Sequence, residues 1–134
     1  MSRLVGMAYY TWHFPARNTC RWGTPQLGNY NSDNRSVMKQ HAEWLRDAGV
    51  DFVVIDWSND VNQNPGNNWQ NRDDIKSLEL NTNLVFEEFK KVKGAPKIAI
   101  MIGSPADASI YQSWTLLQKK LDQVWQNFAG NPTY

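Results

Sequence analysis

The chain is poor in the groups that cross-link a fold or give it a dominant charge. Cys20 is the only cysteine among 134 residues, which excludes an intrachain disulfide and a thiolate metal cluster. It has no adjacent histidine in the sequence, so a nucleophile reading is weak. Only His13 and His41 could offer imidazoles, and neither has acids at ligand spacing, so no metal site is expected. Lysine plus arginine number 14 and aspartate plus glutamate 13, a net charge of +1. That balance gives no long-range field for nucleic acid, and none is expected as a partner. No apolar run approaches a membrane span, and the first residues lack a charged region followed by an apolar core. A soluble chain without an export signal or a membrane partner is therefore expected. There is no glycine-rich phosphate loop. Gly103-Ser104-Pro105 could set helix amides near an anion, but no cofactor is expected.

What is abundant is aromatic surface. Hydrophobic residues make up 41% and aromatic residues 13%, including 7 tryptophans. Such a chain is globular, and its length suits one domain, residues 1–134, with a modest core. Indoles are large apolar plates carrying one donor, useful in cores and for stacking on sugar rings or bases. Without a basic surface, a carbohydrate is the favoured ligand class.

Along the chain, three βα units can be read. A first strand runs from about Leu4 to Trp12, and a loop rich in proline, glycine, asparagine and tryptophan follows from His13 to Tyr30. Ser32-Asp33-Asn34 offers caps for a helix whose apolar face is Val37, Met38, His41, Trp44, Leu45 and Ala48, with Gly49 as its left-handed terminator. The second strand, Asp51 to Trp57, is a β-branched run ending on a carboxylate and an indole. A polar loop, Asn59 to Asp74, carries the turn signal Asn64-Pro65-Gly66-Asn67 and leads to a helix over Asn81 to Lys93. The third strand, Lys97 to Gly103, is almost wholly apolar and is expected to be buried on both faces. Ser104-Pro105 then opens a helix to about Phe128, with Ile110, Trp114, Leu117, Leu121, Val124 and Trp125 on its apolar face.

Alternating βαβαβα predicts parallel strands. The loops after strands one and two are long, whereas the turns before strands two and three are short. That asymmetry marks a (β/α)₈ barrel, whose active site is built from the loops that follow its strands. A whole barrel needs about 250 residues. The expected fold is thus α/β, three consecutive parallel βα units forming a partial TIM barrel.

Three stretches carry a family resemblance. They are Met7-Ala-Tyr-Tyr-Thr-Trp12, Trp22 to Asp33 (beginning Trp-Gly-Thr-Pro-Gln-Leu-Gly), and His41-Ala-Glu-Trp-Leu-Arg-Asp-Ala-Gly-Val-Asp-Phe-Val-Val-Ile-Asp-Trp57. Together they resemble the opening of the glycoside hydrolase family 99-like proteins, a group of endo-α-mannosidase-like enzymes and polysaccharide-biosynthesis barrel domains. Sugar-cleaving barrels of family 71 are similar in general pattern. The resemblance covers most of the first sixty residues and fades after them. It implies a (β/α)₈ barrel with a sugar cleft at the carboxyl ends of the strands. It also implies catalytic carboxylates late in the barrel, on strands absent here.

The residues themselves lead to the same place. Glycoside hydrolysis normally needs two carboxyl groups facing each other across the scissile bond. Asp56 is the one acid at a strand's carboxyl end; Asp60 lies in the loop beyond, and Glu43, Glu87 and Glu88 are expected on solvated helix faces. No catalytic residue is therefore assigned. The candidate sugar-binding set is Tyr10, Trp12, His13, Asp56, Trp57 and Ser58, in which Asp56 would bind hydroxyls and Trp57 or Trp12 would form a stacking wall. Asp56 could instead bond loop amides. Three functions fit: a half-barrel of a glycosidase-like protein with part of a sugar cleft, a glycosidase with a composite site formed on oligomerisation, or a non-catalytic structural protein. Val5, Met7, Phe52, Val54, Ile98, Ile100 and Ile102 supply apolar groups to two sheet faces, of which three helices can cover only one. A homodimer or higher homo-oligomer that buries the inner sheet face is expected.

Overall fold

The computed structural model describes residues 3–13, 23–58, 73–102 and 114–134, with the backbone alone at 73–76 and 114–116. Cys20, Trp22, Asp60, the Asn64–Asn67 turn signal, Gly103-Ser104-Pro105 and Ile110 lie outside the described residues. The elements are β1 (Gly6–Tyr9), α1 (Arg35–Asp47), β2 (Phe52–Trp57), α2 (Asp73–Lys90), β3 (Lys97–Ile102) and α3 (Trp114–Phe128). The three strands form one sheet in the order β1-β2-β3, and both pairings are parallel. This is the expected architecture of consecutive parallel βα units in a partial barrel.

The local chemistry explains each boundary of α1. Of the three polar residues before it, Asn34 is the cap: its Oδ1 accepts from the amides of Ser36 (3.1 Å) and Val37 (3.3 Å). At the other end Gly49 takes φ +74, which lets its amide reach the Arg46 carbonyl (3.0 Å) while the Val50 amide reaches Leu45 (3.0 Å). Those two bonds satisfy carbonyls that the last helical turn leaves open. Asp51 then ties the next strand to the first, since its Oδ2 accepts from the Val5 amide at 2.7 Å.

The second helix differs from expectation. It starts at Asp73, ahead of the expected Asn81, and two residues of low helix propensity inside it have bonded side chains. The buried Asn81 donates through Nδ2 to the Thr11 carbonyl (2.8 Å), and the buried Thr82 hydroxyl donates to the Leu78 carbonyl one turn back (2.8 Å). Tertiary bonds, from Asn81 to Thr11 and from Trp57 Nε1 to Thr82 Oγ1 (2.9 Å), offset low intrinsic propensity here.

Strand register sorts the side chains into two faces. Met7, Val53 and Ile98 lie level, as do Tyr9, Ile55 and Ile100, with Trp57 level with Ile102. This face meets the helices, and its centre is fully buried with Met38 and Ala42 of α1, Val85, Phe86 and Phe89 of α2, and Val124 and Phe128 of α3. The opposite face carries the rows Gly6-Phe52-Lys97 and Ala8-Val54-Ala99, then Asp56 beside Met101. On β3 only Ile98 is buried on the helix side, and Lys97, Ala99 and Met101 are exposed. The expectation that this strand is buried on both faces is corrected: among the described residues no strand stands opposite to cover it.

Two helix-layer details tune stability with pH. Tyr9 sits edge-on to Phe89 and to His41, and its hydroxyl donates to His41 Nδ1 at 3.0 Å when that nitrogen carries no proton. Burial makes His41 harder to protonate than usual, and burial raises both Tyr9 and Tyr30. Glu88, expected on a solvated face, is instead buried and paired with Arg35 and Lys91, each at 2.7 Å. Burial pushes its carboxyl up, but the bonds to Lys91 and Arg35 prevail and hold it below the ordinary range.

Two outcomes follow. Gly6 lies under the Phe52 ring, and a β-carbon there would stand within 2.8 Å of three ring atoms. Gly6→Ala should cost about 1 kcal/mol, the low end for overpacking because the half-exposed ring can swing away. In a Phe52→Ala background the cost should shrink, a coupling readable by denaturant unfolding of the four variants. As for pH, an unfolded His41 takes up a proton near 6.5 that the folded chain refuses. Stability should therefore decline as pH falls below that value, by at most about 1.4 kcal/mol per pH unit for one group. His41→Gln should flatten that slope while leaving a separate decline below 4.5, where protonation of Glu88 begins to remove its ion pairs.

Candidate functional site

The parallel sheet brings the carboxyl ends of all three strands to one end, where barrel folds place their ligands. On the face away from the helices, that end carries Asp56 level with Met101, and Tyr10 follows directly after the Tyr9–Ile55 pair that ends the β1 register. Tyr10 and Trp12 are both about half exposed and meet edge to face, with ring centroids 5.4 Å apart. An edge-to-face pair holds each ring in a fixed attitude and leaves its outer surface free to stack.

Asp56 is half-buried and accepts from the Ser58 amide at 2.7 Å through Oδ1. This is a turn closed by the side chain two residues back, which aims the chain out of the sheet. The bond leaves the other carboxylate oxygen with its acceptor capacity, since an ionised carboxyl has about four lone-pair sites. Asp56 and Ser58 thus form one local unit at the carboxyl end of β2, and Tyr10 and Trp12 form another just past the end of β1.

The remaining two sequence candidates are placed elsewhere. Trp57 is 1% exposed and turned toward the helices. Its Nε1 donates to Thr82 Oγ1 (2.9 Å), its ring meets Phe128 edge-on at 6.0 Å, and Lys120 Nζ lies 5.6 Å from its centroid. It is a core indole with a satisfied donor, and the stacking role falls to Trp12 instead. Alternation explains the split: adjacent residues of a strand face opposite sides, so Asp56 and Trp57 cannot share a site.

His13 belongs to a second feature. Its amide donates to Ser32 Oγ (2.7 Å) while its carbonyl accepts from the Ser32 amide (2.9 Å), a two-bond clasp between the strand exit and the approach to α1. Its ring packs on Tyr30 at 5.1 Å, and Tyr30 in turn meets His41 edge-on at 5.5 Å. These residues line a groove of about 580 Å³ between the free side of β1 and α1, together with Tyr9, Thr11 and Trp44. Thr11 is buried there, and its Oγ1 has no hydrogen-bond partner in the structure. Sequence reading assigned Trp44 and His41 to the face of a helix, which is correct. It missed that this face overhangs β1, because that depends on which side of the strand α1 packs.

No second acid stands with Asp56 among the described residues. Glu87 and Glu88 are bonded to Arg35, Glu79 to Lys120, and all three lie on α2 in the helix layer. Among the described residues no group of three or more histidine, cysteine or acidic side chains could hold a metal ion, and no helix is long and apolar enough to cross a membrane.

No family model matches the sequence, and no curated protein does. Solved structures do share the fold. The endo-α-mannosidase of glycoside hydrolase family 99 from Bacteroides thetaiotaomicron, in complex with bis-tris-propane, superimposes with a TM-score of 0.62 at 15% identity, over 96% of this chain and 37% of that one. A second structure of the enzyme from that organism gives 0.59 at 14% identity, over 96% and 41%. At such identities the likeness is one of fold. The chain spans about two fifths of the length of these barrel enzymes, and over that span it is folded as they are.

Proposed function

We propose that the chain is the N-terminal half-barrel of a glycoside-hydrolase-like protein and supplies part of a carbohydrate-binding cleft without a complete catalytic apparatus. The observation that carries this reading is the exposed Tyr10–Trp12 pair just past the carboxyl end of β1, with Asp56 one residue before the carboxyl end of the neighbouring β2. Sugar rings present flat C–H faces and a rim of hydroxyls. An aromatic plate next to a carboxylate acceptor and a tyrosine hydroxyl suits both. The shared fold with an endo-α-mannosidase makes α-mannosides the first ligands to try.

Catalysis by the chain alone is not proposed. The chemistry needs an acid and a base or nucleophile across the bond, and Asp56 stands without a partner among the described acids. The open face of the sheet, with Phe52 and Val54 half-exposed and Met101 exposed, favours self-association as a homodimer or higher oligomer. A composite active site across that joint is the second reading, favoured by the same open face.

Titration with manno-oligosaccharides, followed by tryptophan fluorescence, should show saturable binding. Trp12→Ala should weaken it about tenfold, the equivalent of ~1.4 kcal/mol, and Asp56→Asn should weaken it as well. Trp57→Phe should leave affinity unchanged, since that indole faces the core. Absence of saturable binding, or indifference to Trp12→Ala, would remove the cleft. Aryl α-mannosides should not be turned over; turnover abolished by Asp56→Asn would replace this reading with the composite site.

A further inference from the structure

The two free ends of the half-barrel are built as counterparts. At roughly 100° per residue, α1 divides into three flanks. Arg35 lies on the side that meets α2, where it bonds Glu87 and Glu88; Met38 and Ala42 lie in the middle, on the core; His41, Trp44 and Ala48 lie on the far side, along the groove beside β1. The same division holds in reverse on α3. Lys120 lies on the side that meets α2, where it bonds Glu79 at 2.5 Å; Val124 and Phe128 lie on the core; Leu121 and Trp125 lie on the far side. Trp125 is 74% exposed and Leu121 51%. An indole and a leucine one helical turn apart form a ridge, and the α1 flank with β1 forms a trough. Both β1 and β3 are sheet edges, and they run in the same direction.

We infer that the trough between α1 and β1 is occupied by α3 of a second copy of this chain, with Leu121 and Trp125 lying against Trp44 and His41. This inference rests on the self-association proposed above and names its surface. Charge does not oppose the joint, because the groups that pair with α2 on each helix are turned away from it. The strand edges support it beyond Ile98, whose outward amide already donates to the Thr133 carbonyl (2.7 Å): the rest of a β3 edge placed beside a β1 edge continues a parallel sheet in the existing order. The contact is head-to-tail, so each copy has one ridge and one trough, and it must close into a ring to leave no end exposed. Two copies form the smallest such ring and also place the two open sheet faces opposite each other.

The test is the solution mass of the wild-type chain and two variants by light scattering at micromolar concentration. Wild type should show twice 15.5 kDa. Trp125→Glu and Trp44→Glu should each shift the mass to monomer, weakening association at least tenfold, while far-UV circular dichroism remains that of a folded chain. Mixing the two variants should restore a dimer at concentrations where each alone is monomeric, because the mixed ring keeps one wild-type joint. A monomeric wild type would overturn the joint and the self-association with it, leaving the trough to another occupant. A dimer unaffected by Trp125→Glu but broken by Trp44→Glu would place α1 against α1. A dimer that neither variant disturbs would place the contact on another surface. Either result would overturn the head-to-tail joint while sparing self-association, and none bears on the sugar titration.

Discussion

Everything in this fold depends on the two-residue period of β2. As the central strand it has a neighbour on each edge, so its side chains alone decide what each face of the sheet is. Val53, Ile55 and Trp57 go to the helices and are buried to 1% exposure or less, and Phe52, Val54 and Asp56 go to the other face. A one-residue slip would exchange these sets. It would place a carboxylate among Phe86, Phe89 and Phe128, at a desolvation cost that such a core could not offset. The Trp57–Thr82 bond secures the choice, since an indole N–H buried without a partner costs about 1–3 kcal/mol.

From that choice the site follows. Once Trp57 is committed to the core, Asp56 is committed to the open face, and the chain turns directly after Trp57. The Asp56–Ser58 bond is that turn. On β1 the counterpart is the Asn81–Thr11 bond, which fixes the strand exit against α2 and so sets where Tyr10 and Trp12 emerge. Both anchors come from residues one would mark as helix-weakening or loop-forming by type. The candidate surface is thus held by one polar bond from the helix layer and one local to the end of β2, whereas the sheet beneath it is held by apolar contact.

The elements of this fold were legible because their signals are local. Asn34, Gly49 and the β-branched run of β2 each specify a backbone state within a few residues, and the structure has each of them as expected. What was not legible depends on partners distant in sequence. Asn81 and Thr82 argue against a helix until Thr11 and Trp57 are known to bond them. Glu88 looks solvated on a helix until Arg35, 53 residues away, is found beside it. The site was half legible. Alternation alone assigns Asp56 and Trp57 to opposite faces, and that signal was in the sequence. The sequence places His13 near a strand end, but its place beside Tyr30 depends on the Ser32 clasp.

A partial barrel also faces a constraint that a whole one does not. In a closed barrel every strand is central, and each helix has a neighbour on both sides. Among the described elements only β2 and α2 are in that position, and they hold six residues at 2% exposure or less: Val53, Ile55, Trp57, Val85, Phe86 and Phe89. Burial falls toward both ends, to Met7 and Trp44 on one side and Met101 and Trp125 on the other. Surface helices carry polar residues on the flank that meets water. Trp44 on α1 and Leu121 and Trp125 on α3 depart from that rule, and the proposed head-to-tail joint would account for all three.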